Sequence, residues 1–218
     1  MTPFWRTADW ALRVCAEMQI RACVIKSYRG AVGYDDGNVD ILVGSDEFGH
    51  IARRLLREES CSVGVWQRVR HRIYEPNKLM IDPPRPGLRR LHLHRSVGWH
   101  GIDVIESECV LRSAGLVRIG ANHVSVPSKE MESLILVLHI VLETFEKSEL
   151  DRAFIEESAF RCFGERYNVP RKAVEALIRS GSSIDMAVLW PCWVAVQRSC
   201  SGGALGRIRH LAYLAWRW

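Results

Sequence analysis

The residues of this sequence whose types and spacing best suit chemistry lie between two apolar segments, where small and polar residues lead to Asn38 and Asp40. Alternate side chains of a β-strand share one face, so Asn38 and Asp40 are expected to point together, away from Val39 and Ile41. A carboxylate among such apolar neighbours is costly to bury unless it is paired, hydrogen-bonded or bound to a metal. One or two carboxylates are enough for Mg²⁺, because phosphates and waters complete its octahedron. The spacing therefore indicates a nucleotide–metal site with Asp40 as a magnesium ligand.

Phosphate binding is the second chemistry that this stretch indicates. Lys26 and Ser27 close the preceding apolar segment. A lysine meets a phosphate as a point charge, and a serine hydroxyl or a backbone N–H cradles one. Asp36 stands in the intervening turn and would be a further metal ligand if the loop curls back toward Asp40. Asp, Gly and Asn are ordinary turn residues, so the turn by itself carries little weight.

Histidines provide an alternative metal site. His92 and His94 stand at alternate positions of one predicted strand, with His71 and His100 in the same region. Such a pair chelates zinc, but no cysteine or acid stands at a typical spacing from it, and surface or cleft histidines are the favoured interpretation. His139 falls on the apolar side of a long predicted helix, where a structural histidine is favoured over a catalytic base.

Short strands and helices must position these residues. Apolar residues at helical spacing predict a first helix over residues 7–20. Segments 22–27 and 38–43 are expected to be strands, and Asp46 is expected to cap the helix that follows. Two further strands are predicted over "CSVGVWQRV" and "RRLHLHRSV", a short helix or turn over "HGIDVIESECVLRSA", and an edge strand over "NHVSVP".

The C-terminal part of the chain is predicted to be helical. Pro127 and Ser128 introduce the clearest helix, whose apolar stripe consists of Met131, Leu134, Ile135, Leu138, Leu142 and Phe145. Strands come first and helices later, which favours the α+β class, with a mixed sheet, flanking helices and a helical C-terminal region. The expected domain boundary separates residues 1–126 from residues 127–218.

Four quoted segments together resemble the DNA-polymerase-beta-like nucleotidyltransferase superfamily, and in particular its small prokaryotic nucleotidyltransferase-like proteins. These segments are "VIKS", "NVDILV", "LHLHRSVGWHGIDVI" and "VSVPSKEMESLILVLHIVLETFE", and the resemblance covers roughly residues 7–150. In that superfamily a small-residue turn precedes a strand carrying Asp-hydrophobic-Asp, and a neighbouring strand supplies a third acid. The resemblance implies transfer of a nucleoside monophosphate from a nucleoside triphosphate with the help of Mg²⁺.

Two of the three acids of the superfamily are replaced in this chain. Lys26 and Ser27 stand where the small-residue turn belongs, Asp40 matches the second acid, Asn38 the first, and His92 the third. An Asn oxygen coordinates a cation without bringing charge, and His prefers softer metals. Asp36 or Asp103 would have to supply a missing acid. The resemblance thus leaves two functions open: nucleotidyl transfer to an unidentified acceptor, or a catalytically degenerate fold that serves as a binding or scaffold module.

Composition is that of an ordinary globular protein, with 48% hydrophobic and 25% charged residues. No run approaches the roughly 18 apolar residues of a membrane span, and the N-terminus lacks the pattern of a secretory signal. The seven cysteines are odd in number and form no CxxC pair, which favours a reduced protein over a disulfide framework. A cytoplasmic location is therefore expected.

A net charge of +5 permits an anionic partner such as a nucleotide. Nucleic acid is disfavoured because no basic stripe is interleaved with aromatic residues. The chain ends in a basic and aromatic segment, expected to dock on the body of the protein, on a protein partner or on a second copy, which contains Leu211, Tyr213, Leu214, Trp216 and Trp218. Neither a P-loop nor a GxGxxG motif is present, and no nucleophile signature indicates a hydrolase.

Overall fold

A four-stranded mixed sheet with flanking helices forms the centre of the chain's first part, and the expected α+β class is confirmed. The computed structural model describes residues 1–31, 38–57, 59–200, 207–212 and 215. Residue contacts divide the chain into two units, Met1–Ser128 with the described residues from 207 onward, and Lys129–Gly203. Asp36 and the C-terminal residues Tyr213, Leu214, Trp216 and Trp218 lie outside the described residues.

The elements of the first unit alternate between short strands and helices. In chain order they are α1 (Pro3–Glu17), β1 (Ala22–Ile25), α2 (Tyr28–Ala31), β2 (Asn38–Val43), α3 (Phe48–Arg57), α4 (Val65–Ile73), β3 (Lys78–Ile81), β4 (Arg90–His94), β5 (Ser96–Trp99), β6 (Ile102–Glu106), α5 (Ser107–Ser113), β7 (Gly115–Ile119) and β8 (Asn122–Val126). The first helix therefore starts before the expected residue 7. Helix α3 begins at Phe48, so Asp46 is not its N-cap as expected.

The main sheet has the strand order β1-β2-β4-β3. Strands β2 and β4 are parallel, whereas β1 and β3 pair with them in antiparallel fashion. One face of the two central strands is fully apolar and packs into the core with α1 and α3, through Val39, Ile41, Val43, Leu91 and Leu93. Because side chains alternate along a strand, this apolar face leaves Asp40, His92 and His94 for the opposite face.

Helix α1 covers the sheet because its start and its buried stripe are both well defined. The Thr2 side chain accepts a hydrogen bond from the Trp5 backbone N–H, and Pro3 occupies the first turn, where a missing N–H costs nothing. The indole of Trp5 donates to the Gly30 carbonyl at 3.1 Å. A side chain on Gly30 would clash with the Phe4 ring, since an added Cβ would lie 2.4 Å from it. Helix α1 thus holds the chain that leaves β1.

The predicted strand over residues 61–69 is wrong. Only Ser62 makes a strand-like bridge, with Asp82, and Val65–Ile73 form helix α4. Local β-propensity suggested a strand, but tertiary structure overrides such propensity readily. The apolar residues of this helix face solvent, and Trp66 is 82% exposed. The sequence therefore has no core-facing helical periodicity in this segment. The strand beside β4 is instead β3, which the sequence analysis overlooked.

Residues 100–114 were expected to form a short helix or turn, and the structure corrects half of that expectation. Their first part is strand β6, which pairs with β5 in a hairpin, and their second part is helix α5. Gly98 is required in this hairpin, because an added Cβ would lie 2.2 Å from the Ile102 carbonyl oxygen. The strand expected over "NHVSVP" is confirmed as β8, and it pairs with β7 in a separate two-stranded sheet.

The second unit is helical, as expected. Its elements are α6 (Lys129–His139), a π-helical turn (Ile140–Thr144), α7 (Glu149–Phe154), α8 (Glu157–Arg166), α9 (Arg171–Arg179) and α10 (Met186–Ser199). Helix α6 is buried on nearly all sides, and His139 at its end is buried with Nδ1 3.0 Å from a Glu143 carboxylate oxygen. In the described part of the chain, no helix has the length and apolar character needed to span a membrane.

Two isoleucines test the contrast between the core and α4. Ile41 is fully buried in β2, whereas Ile73 on α4 is 47% exposed. We expect Ile41→Ala to lower the free energy of unfolding by about 2–5 kcal/mol, and Ile73→Ala to change it by less than about 0.5 kcal/mol. Urea unfolding of both variants measures the difference. A large loss in Ile73→Ala would show that α4 packs its apolar face against the body of the protein.

Candidate functional site

The parallel pairing of β2 with β4 builds a polar group on one face of the main sheet. Asp40 pairs with His92 in the register of the two strands, and Asn38 precedes Asp40 by two residues. The side chains of Asn38, Asp40, His92 and His94 all contact one another directly or through Asp40. The expectations that Asn38 and Asp40 share a face, and that His92 and His94 share a face, are both confirmed.

The carboxylate of Asp40 is the centre of this group, and its two oxygens have different neighbours. Oδ1 accepts a hydrogen bond from His94 Nε2 at 2.7 Å and lies 3.5 Å from His92 Nδ1. Oδ2 accepts from Asn38 Nδ2 at 3.3 Å and lies 3.8 Å from Lys26 Nζ. The Asp40 side chain is only 3% exposed, so these neighbours replace water around the charge. One oxygen thus faces two imidazoles, and the other faces an ammonium and an amide.

Lys26 reaches Asp40 from the end of β1. Ile25 pairs with Asp40 across β1 and β2, and Lys26 follows it with a left-handed backbone, φ 57°. Such a conformation is uncommon for a residue other than glycine and costs on the order of 1–3 kcal/mol, so the surrounding structure must hold it. The Lys26 side chain is 12% exposed. Lys26, the residue expected to bind phosphate, therefore forms an ion pair with Asp40.

The electrostatics of the group favour an ionised Asp40 beside a neutral His94. Burial alone would raise the pKa of Asp40, but the charge of Lys26, the neighbouring His92 ring and the hydrogen bond from His94 together lower it well below its usual value. Burial lowers the pKa of His94 to about 4, although its hydrogen bond to Asp40 acts in the opposite direction. At neutral pH, His94 is therefore a neutral imidazole that donates its Nε2 proton to Asp40.

The candidate residues Asp103, His71 and His100 have partners outside this group. Ser27 is next to Lys26 in the chain, and its carbonyl accepts from the Gly30 N–H at the start of α2. Asp103 lies in the β5–β6 hairpin, where it contacts Asn77 and Ser96 and has Arg95 3.7 Å away. It is not part of the group around Asp40. The His71 ring bonds backbone carbonyls, and His100 packs beside the His210 ring. Within the described ranges, the residues grouped as metal ligands are Asp40, His92 and His94.

His94 is the member of this group that the sequence did not place beside Asp40. The alternation of His92 and His94 was visible in the sequence, and it correctly placed them on one face. The acid that completes their group comes from β2, 54 positions earlier in the chain. A ligand contributed by a paired strand has no fixed sequence spacing, so the zinc alternative could not be completed from the sequence.

The donor set does not fit the Mg²⁺ ion that the resemblance implies. Magnesium demands oxygen ligands at about 2.0–2.1 Å in octahedral geometry, whereas this group offers one carboxylate and two imidazoles. Asn38 turns its amide nitrogen, not its oxygen, toward Asp40 and His92. Imidazole suits zinc, copper, iron and nickel. The donor set therefore fits a transition-metal ion better than it fits Mg²⁺.

Comparison of the chain with protein-family models and with curated protein sequences gave no match. The likeness to nucleotidyltransferases therefore rests on the residues quoted above, and the function that it implies stays a prediction.

Proposed function

We propose that this chain is a nucleotidyltransferase-like protein that binds a nucleoside triphosphate at the Lys26–Asp40 group without transferring its nucleotidyl group. The observation that carries the proposal is the state of Asp40, the one acid that matches the family pattern. It forms an ion pair with Lys26 and accepts hydrogen bonds from His94 and Asn38. Its charge is thus already balanced within the protein.

Catalysis of phosphoryl transfer needs more negative charge than this site supplies. It depends on positioning and on metal ions that neutralise the developing charge. In two-metal sites, carboxylates hold the ions about 3.5–4 Å apart. Asn38 and His92 stand where two of those carboxylates are expected, and both contact each other at 2.9 Å instead. The geometry therefore favours the catalytically degenerate alternative over the active enzyme.

Binding requires groups that can reach a phosphate, and the outer members of the group have this character. The side chains of Lys26 and His92 are 12% and 15% exposed, while Asp40 and His94 lie beneath them. The Lys26 ammonium and an imidazole N–H of His92 can both donate to phosphate oxygens, and the charged hydrogen bond from the ammonium is the stronger. Lys26 would share its charge between Asp40 and the bound phosphate.

Magnesium-dependent nucleotidyl transfer to an unidentified acceptor is the second candidate. Asn38 and Asp40 share one face of β2 in the spacing of the family's paired acids, which favours it. All seven cysteines are free thiols, as is usual for proteins of the reducing cytoplasm. Either function is compatible with that location. A protein partner or self-association through the Trp-rich C-terminus stays a prediction.

Calorimetric titration of ATP, GTP, CTP and UTP, in chelator and again with Mg²⁺, tests the proposal. We expect at least one triphosphate to bind in chelator and binding to be lost in Lys26→Met, because Lys26 supplies the positive charge. Lys172→Met, an exposed lysine on α9, is the matched control and should bind as the wild type does. Asn38→Asp should add one of the two missing acids and make triphosphate binding depend on Mg²⁺.

The same samples decide between the two candidates. Release of pyrophosphate by the wild type in Mg²⁺, with water as the acceptor of the nucleotidyl group from the bound triphosphate, would establish the enzyme and overturn the degenerate alternative. If no triphosphate binds under either condition to a folded wild-type protein, both candidates are wrong.

A further inference from the structure

Three potential metal-ligand atoms lie close together on the main sheet, and the proposed binding of a triphosphate does not require this arrangement. One atom each from Asp40, His92 and His94 lies within 4.8 Å of the others. They are carried by two adjacent strands, and ligands on paired strands are held more precisely than ligands on loops. We propose that Asp40, His92 and His94 form a binding site for a transition-metal ion of the zinc class.

The distances within the group are close to those of a metal site. Zinc–nitrogen and zinc–oxygen bonds are about 2.0–2.2 Å in tetrahedral geometry, which places neighbouring ligand atoms about 3.3–3.5 Å apart. His92 Nδ1 lies 3.5 Å from Asp40 Oδ1, a separation that already fits. His94 Nε2 lies 2.7 Å from the same oxygen, the length of a hydrogen bond. To bind the ion, His94 must carry its proton on Nδ1 and move by less than about 1 Å.

The second oxygen of Asp40 provides the support that metal ligands usually have. Asn38 donates a hydrogen bond to Oδ2, so it orients the carboxylate and leaves Oδ1 toward the histidines. Outer contacts of this kind commonly fix a ligand's orientation. Asn38 also approaches His92 Nδ1 at 2.9 Å, and the ion would take its place there. Binding of the metal would therefore replace the hydrogen bond between Asn38 and His92 with a bond from His92 to the ion.

The charge of Lys26 should lower the affinity of the site for a metal ion. This effect is opposite to that of a ligand and can be tested separately. A positive charge 3.8 Å from the coordinating carboxylate repels a divalent ion, so the site should bind more weakly than its ligands alone allow. Three protein ligands also leave a fourth position open, as catalytic zinc sites do. Water or a phosphate oxygen would occupy that position beside His92, the more exposed of the two histidines.

Calorimetric titration of ZnCl₂ into metal-free protein tests the site. Cys162 is exposed and would bind zinc by itself, so every variant carries Cys162→Ser. We expect one site whose affinity falls by more than about 100-fold in His92→Gln and in His94→Gln, a loss beyond that of outer contacts. His123→Gln, at an exposed histidine on β8, is the matched control and should bind zinc unchanged. Mg²⁺ should not compete for the site.

Lys26→Met keeps the test decisive if a histidine variant fails to fold. Removing this repelling charge should raise zinc affinity by about tenfold or more, and Co²⁺ in the same variant should show the strong visible absorption of a tetrahedral site. Failure of the wild type to bind zinc, equal binding in the histidine variants, or weaker binding in Lys26→Met would each overturn the proposal. No nucleotide is used, so the result is separate from that of the triphosphate titration.

Discussion

Asp40→Asn should lower the free energy of unfolding by about 3–5 kcal/mol, because it leaves a buried lysine without its counter-ion. The Lys26 and Asp40 side chains are both largely buried, and their charged atoms lie 3.8 Å apart. An asparagine oxygen still accepts the hydrogen bond from His94, but the amide nitrogen cannot accept from Asn38, so the loss reports the charge together with one hydrogen bond. Urea unfolding of the metal-free protein at neutral pH measures it.

Asp82→Asn is the matched control for this prediction. Asp82 pairs with Arg90 at 2.7 Å, but both side chains are exposed, and we expect a loss of no more than about 1 kcal/mol. Combining Asp40→Asn with Lys26→Met should recover much of the stability, since removing both members of a buried pair is often close to neutral. Similar losses in Asp40→Asn and Asp82→Asn would contradict a dominant role for the buried pair.

Acidification should destabilise the protein between about pH 6.5 and pH 4 through His94. The unfolded chain protonates this imidazole near its ordinary pKa of 6.5, whereas burial lowers the folded pKa to about 4. Between these values the unfolded state binds more protons, so stability falls as the pH falls. The full effect of His94 is on the order of 3 kcal/mol. Urea unfolding of metal-free protein across this range measures the slope.

His94→Gln should flatten that slope, because glutamine keeps an amide donor for Asp40 and does not titrate. His123→Gln should leave the slope unchanged, since His123 is exposed. Asp40 contributes only at the acid end of this window. Its pKa is lowered on folding, so its stabilisation is complete at neutral pH and is lost progressively as the pH falls through its usual value near 3.8. An identical slope in wild type and His94→Gln would show that other groups cause the acid sensitivity.

The sequence predicted which side chains share a face better than it predicted how strands pair. Alternation placed Asn38 with Asp40 and His92 with His94, and both pairs are present. The contact between His94 and Asp40 depends on parallel pairing of β2 with β4, which no local pattern encodes. The ion pair of Lys26 with Asp40 could not be predicted either. The backbone of Lys26 is left-handed, and Lys is not a residue that indicates such a conformation.

Helix α4 shows why part of the fold could not be predicted. Amphipathic patterns identify helices when the apolar side faces a core. In α4 the apolar residues Val65, Trp66 and Ile73 face solvent, so the pattern does not report burial. In α6 the apolar residues that predicted the helix, among them Leu134, Ile135 and Leu138, are buried, and so are the residues between them. Prediction succeeded where the hydrophobic effect determines the element and failed where it does not.

The parallel pairing of β2 with β4 also determines when the polar group can form. Parallel strands need a long crossover, and closing a long loop is slow compared with forming a hairpin or a helix. A growing chain that has passed β2 contains Lys26, Asn38 and Asp40, but neither histidine. Until β4 is made, 54 positions after Asp40, the carboxylate has no imidazole partner and no parallel strand beside it. Assembly of the group therefore marks completion of the central sheet during folding, and a chain that stops before β4 carries an acid it cannot bury.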